Sequence, residues 1–172
     1  MKERNMGDRK GKQRKSVDSE QSMNGGKKSP EATDSKWSAV RHFVPREFTC
    51  KCDGLCSHDD VVSGELVLKL ERIRDLIGKP VVIRSGTRCE SHNRQMGGMP
   101  GSAHIPQNGT SHAADILCPD SGFRFAFLTA ALPMFNRIGI GSDFIHVDDS
   151  PHLLENQVWL YNGKATVLQV KA

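Results

Sequence analysis

The sequence predicts an α+β domain: a small, mostly antiparallel sheet with flanking helices. Three observations carry that prediction. Leu66, Leu70, Ile73 and Ile77 recur at helical spacing and form one apolar stripe. Six short segments between positions 80 and 168 show the apolar runs or alternation of strands. Helical and strand segments follow one another irregularly, without the regular alternation that builds a doubly wound parallel sheet.

Each element has a local reason. Ser63 precedes the helical stripe as its N-cap, Gly78 stands at its C′ position, and Pro80 prevents continuation. Positions 80–85 read as a buried strand. Positions 86–109 form a long Gly-rich loop with a short helix near 90–95, and so long a loop inside a compact domain points to function. Ala113–Leu117 reads as a strand, and Ser121 as the cap of a second helix running to Leu132. Arg137–Ile140 and Phe144–Asp148 are strands joined through Gly141-Ser142. Positions 158–161 and 165–168 form a hairpin about Asn162-Gly163, the dipeptide preferred in two-residue turns.

With 172 residues, 37% of them hydrophobic, the chain is long enough for one domain with a substantial core. The longest apolar stretch, 123–135, contains Arg124 and Pro133, so no membrane span is expected. Charged residues open the chain and no apolar stretch follows, so synthesis in the cytoplasm without a secretory signal is expected. Residues 1–36 hold 10 Lys/Arg and 6 Asp/Glu with almost no large apolar side chain, the composition of a disordered basic tail. That tail carries the whole formal charge of +4, leaving 14 charges of each sign in the domain at 37–172. A neutral domain without a basic face argues against a specific nucleic-acid partner, and a monomer is expected.

The chemistry-bearing residues lie after the long loop. His104, Asp115 and His146 are an adequate ligand set for one zinc ion, with two imidazoles, a carboxylate and a fourth position left for water. Zinc acidifies water and polarises a carbonyl, and hydrolysis also needs a carboxylate to move the proton. Asp143 and Asp148 are both close to His146 in sequence. Strand alternation puts Asp148, not Asp143, on the face of His146.

Several short motifs occur in order: Phe48-Thr-Cys-Lys-Cys52, the helix, Ser85-Gly-Thr-Arg-Cys-Glu-Ser-His-Asn93, Gly101-Ser-Ala-His104, Ala113-Ala-Asp-Ile116 and Phe144-Ile-His-Val-Asp148. In this the chain resembles the zinc D-alanyl-D-alanine peptidases, a family of bacterial carboxypeptidases and phage endolysins related in fold to the hedgehog signalling domain. The resemblance spans positions 48–161. It implies His104, Asp115 and His146 as metal ligands, and Asp143, three residues before the last His, as the base. Asp148 is then the second choice for the base or a partner that orients a ligand. It implies Arg88 as a cleft cation for the oxyanion or a substrate carboxylate, with a structural ion pair as the alternative. Ser102 binds substrate or caps a turn. The implied activity is hydrolysis of amide bonds in peptidoglycan peptides next to D-alanine, by an endolysin released onto the wall or a virion-associated protein. The alternatives are a silent zinc-stabilised binding or structural module of the same fold and a peptidase acting on other substrates.

The chain departs from the family pattern between its first two ligands. Ten residues separate His104 from Asp115 where the family usually has six, so residues 105–110 either enlarge the cleft or make His112 a rival ligand. The five cysteines allow three readings: a zinc knuckle of Cys50, Cys52, Cys56 and His58, a disulfide to Cys89, or reduced thiols. Cys118, after a strand, reads as core packing.

Overall fold

In the computed structural model, residues 34–52, 54, 56, 59–162 and 166–170 are described. The elements are α1 (Asp34–Trp37), a 3-10 turn (Pro45–Glu47), α2 (Gly64–Ile77), β1 (Ile83–Ser85), α3 (Glu90–Gln95), β2 (Ala113–Leu117), α4 (Ser121–Ala131), β3 (Arg137–Ile140), β4 (Phe144–Asp148), β5 (Gln157–Asn162) and β6 (Thr166–Val170). The strands form one sheet in the order β1-β2-β4-β3-β5-β6. Among the described strands only β3 and β5 pair in parallel, so the sheet is mostly antiparallel as expected.

Helix α2 ends where its sequence says. The Ser63 hydroxyl accepts from the Leu66 amide at 3.3 Å, and Gly78 takes the left-handed conformation at φ +60°. Leu66, Leu70 and Ile73 are fully buried and Ile77 packs at the edge of the same core. Helix α4 brings Phe123, Phe127 and Ala131 to that core. Its cap is Asp120, whose carboxylate accepts from the Phe123 amide at 2.7 Å; Ser121 is already helical. Asp is as good a cap as Ser, and the extended residue is the one before Ser121.

Strand β1 starts at Ile83, not at position 80. Pro80 has no amide to donate, and Val82 offers only its carbonyl, to the Leu117 amide at 3.0 Å, before the paired register begins. The last hairpin pairs Asn162 with Thr166, so Asn162 belongs to β5. Gly163, the other half of the expected turn, lies outside the described residues. So do residues 1–33 of the expected tail. The described fold begins three residues earlier than position 37, and Lys36 is anchored in it, donating to the carbonyls of Asp60 and Val62 at 2.9 and 3.0 Å.

Alternation along the strands gives the sheet two faces. Ile83, Ala114, Ile116, Ile138, Ile145 and Val147 face the helices and are buried with them. The residues between them face the other way. Pairing aligns Ser85 with Asp115, Asp115 with His146, His146 with Gly139, and Gly139 with Trp159, in one row across five strands.

Candidate metal centre and active site

The row across the sheet holds two of the three predicted ligands, and the long loop delivers the third. Asp115 on β2 and His146 on β4 are register partners, and His146 Nδ1 lies 2.9 Å from Asp115 Oδ1. His104 Nε2 lies 3.2 Å from each of those two atoms. The edges of this triangle are close to the ~3.3 Å separation of nitrogen and oxygen ligands in a tetrahedral zinc shell. All three residues are buried.

The remaining atom of each ligand has a partner of its own. His104 Nδ1 donates to the Gly86 carbonyl at 2.6 Å, which leaves Nε2 as the lone-pair atom. His146 Nε2 donates to Asp148 Oδ2 at 2.9 Å, which leaves Nδ1. Asp115 turns Oδ2 to the guanidinium of Arg88 and Oδ1 to the histidines. Asp148 is itself held by Arg137 Nε at 2.9 and 3.1 Å and by the Ser150 amide at 3.2 Å. One oxygen and two nitrogens therefore converge, oriented by hydrogen bonds from elsewhere in the fold. That donor set fits zinc.

Charge follows from this packing. Burial holds His104 below the ordinary histidine value, against the pull of Asp115. Burial also opposes a charge on His146, but its two carboxylate partners outweigh it and push it up to about 9. Burial likewise opposes the Asp115 carboxylate, and the two histidines more than reverse it, so Asp115 lies well below the usual carboxylate range. A proton and a metal ion compete for His146 Nδ1.

The other predicted residues fall in distinct places. Asp143, in the connection between β3 and β4, is exposed and stands outside the hydrogen-bonded group of His104, Asp115 and His146. Its Oδ2 pairs with Arg84 Nη1 at 2.5 Å, and Arg84 holds its carboxyl below the usual value. Arg88 is buried beside the ligands, with Nε on Ser85 Oγ at 2.8 Å and Nη2 on Asp115, the ion pair that the sequence left as an alternative. Ser102 accepts the His104 amide at 3.4 Å, so it caps the turn that presents the ligand. His112 stands apart from the triangle, with Nδ1 3.1 Å from Asp149 Oδ1.

The six-residue excursion after His104 is a tight turn. Gln107 and Thr110 exchange backbone hydrogen bonds at 2.9 and 3.0 Å across Asn108 and Gly109, both at positive φ. The His112 amide then returns to the Ala103 carbonyl at 2.8 Å. The extra residues are looped out, and His104 still meets Asp115.

Sequence reading missed several parts of this site. Trp159 lies beside His146, with ring centroids 5.3 Å apart, and Tyr161 and Phe144 extend the aromatic shelf. Gly139 lies under that shelf, where a Cβ would come within 2.6 Å of both Trp159 and Tyr161. Arg137 carried no signal beyond its charge. A Trp within a predicted strand was the one available hint.

An α+β sheet presenting two histidines and an aspartate in a converging set defines a metallopeptidase-type centre. The family described as Peptidase M15 matches residues 41–148, a span that contains His104, Asp115 and His146, and the chain belongs to that family of zinc-dependent metallopeptidases. No curated protein matches the chain.

Proposed function

We propose that this protein hydrolyses amide bonds in peptidoglycan peptides, next to D-alanine, in the manner of a phage endolysin or virion-associated wall peptidase. The observation that carries the reading is the convergence of His104, Asp115 and His146, each with its second polar atom engaged, in a chain of the M15 family. Zinc held there supplies Lewis acidity toward the scissile carbonyl and acidifies water.

The remaining work falls to this chain's own side chains. Asp143 takes the proton of the attacking water on a carboxylate oxygen and passes it to the leaving amine. The carboxylate is ionised at neutrality with or without Arg84, whose pairing lowers its basicity, so Asp143 acts as the base once it leaves Arg84. Arg88, with Nε on Ser85 and Nη2 on Asp115, offers Nη1 to a developing oxyanion or a substrate carboxylate. Trp159, Tyr161 and Phe144 give an extended peptide an apolar floor.

The test is digestion of purified cell walls and of synthetic stem peptides by wild type and Asp143→Asn. The variant is expected to keep its catalytic zinc and lose about 10²–10⁴-fold in turnover, the usual contribution of a general base. Equal turnover in both proteins refutes the base assignment. Wild type that binds wall fragments without cutting them replaces the enzyme reading with the silent binding module. Cleavage confined to peptides without D-alanine refutes the substrate.

A further inference from the structure

Outside the site just described, four thiols come together. Cys50, Cys52, Cys56 and Cys89 place their sulfur atoms all within 4.8 Å of one another. Cys52 and Cys56 are 3.2 Å apart, and no disulfide joins any of the four. A zinc ion with four sulfur ligands at ~2.3 Å has sulfur–sulfur edges of ~3.8 Å, inside the observed range. Two backbone amides already point at the sulfurs: Cys89 N–H donates to Cys50 Sγ at 3.3 Å and His92 N–H to Cys89 Sγ at 3.4 Å. Such donors offset thiolate charge around a bound metal. Arg94 and Glu90 both line the opening over Cys52, Cys56 and Cys89, so the lining adds no net charge and the amides are the local compensation.

We infer that Cys50, Cys52, Cys56 and Cys89 form a second, structural zinc site with four thiolate ligands. The fourth ligand is Cys89 from the distant loop. His58, the local alternative, lies outside the described residues. The fold gives the site a purpose. The Phe48 carbonyl accepts the Thr87 amide at 2.8 Å, and a Cβ on Gly86 would sit 2.6 Å from Phe48 Cα. The segment carrying three of the cysteines is therefore packed on the loop that presents the Gly86 carbonyl to His104 and Arg88 to Asp115. A metal at the cysteines staples that loop from behind. The inference is independent of the substrate and of turnover.

The test uses the full chain, purified under reducing conditions without added metal, with zinc counted per chain and X-ray absorption measured at the zinc edge. Wild type is expected to hold two zinc ions, with scattering from sulfur at ~2.3 Å and from nitrogen or oxygen at ~2.0–2.1 Å. The double variant His104→Ala/His146→Ala is expected to keep one zinc with sulfur neighbours only. Cys50→Ser/Cys89→Ser is expected to lose the sulfur signal. Should the cysteine variant fail to fold, the histidine variant decides alone. One zinc in wild type with no sulfur neighbour overturns the proposal, as does a histidine variant without zinc. Disulfides among the four, detected by intact mass under these conditions, also overturn it.

Discussion

At the scale of single residues, the site depends on which atom of each side chain is left to act. His146 presents Nδ1 because Nε2 is committed to Asp148, and Asp148 is oriented by Arg137. Asp148→Asn keeps the shape and weakens the acceptor, so zinc affinity is expected to fall about 10–100-fold with the fold intact. Competition against a calibrated chelator measures it, and unchanged affinity would remove Asp148 from the ligand's support. The same logic separates the rival histidines. Zinc at the candidate centre is expected to be lost in His104→Ala and kept in His112→Ala, whose ring is engaged by Asp149. Metal counting on both variants distinguishes them, and the reverse pattern would move the ligand across the looped-out turn.

At the scale of elements, β3 and β5 support the ligand strand from one side. Gly139 lies between His146 and Trp159 in the row, and aromatic rings cover it. Gly139→Val forces a side chain into the rings of Trp159 and Tyr161, within 2.6 Å of each at Cβ. We expect a loss of about 1–3 kcal/mol, the usual cost of overpacking, read as a lower denaturation midpoint. Zinc affinity should fall with it, because Trp159 packs on His146. A stability loss without any change in zinc affinity would mean that the shelf supports the sheet but not the ligand. Helix α2 acts at longer range. Its Glu71 accepts the amides of Arg41 and His42 at 2.9 and 3.2 Å and so ties the chain's early segment to the core.

At the scale of the whole molecule, the buried ligands couple folding to pH and to metal. In the chelator-treated protein, His146 keeps its proton up to about 9, above its ordinary 6.5. A group raised on folding contributes stability that is complete below the ordinary value and lost as pH rises through the raised one. Stability of the metal-free protein is therefore expected to fall from 6.5 to about 9. With zinc saturating, Nδ1 carries no proton in the folded state, and above 6.5 the unfolded chain carries none either, so this group's contribution is expected to be flat from 6.5 to about 9. Denaturant midpoints at both ends of the window, with and without chelator, check the contrast between a falling and a flat profile. An equal fall in both would disprove the competition between proton and metal.

The sequence by itself determined whatever depends on near neighbours. Helix α2, its Ser63 cap and its Gly78 stop were legible because capping and periodicity are local. The strands carrying Asp115 and His146 were legible from their apolar alternation, and alternation also put Asp148 on the face of His146. The three candidate ligands were singled out through motif order and family resemblance, and the fold brings their donor atoms together. Tertiary structure alone decided the partners of those ligands. The Gly86 carbonyl, Arg137, Trp159 and Cys89 are remote in the chain from the atoms they serve, and only sheet register and loop packing bring them together. It also decided that the extra residues after His104 loop out, because the closing bond from His112 to Ala103 forms between segments that the chain order separates. Local propensity encodes elements, whereas donor atoms converge only when a sheet aligns them.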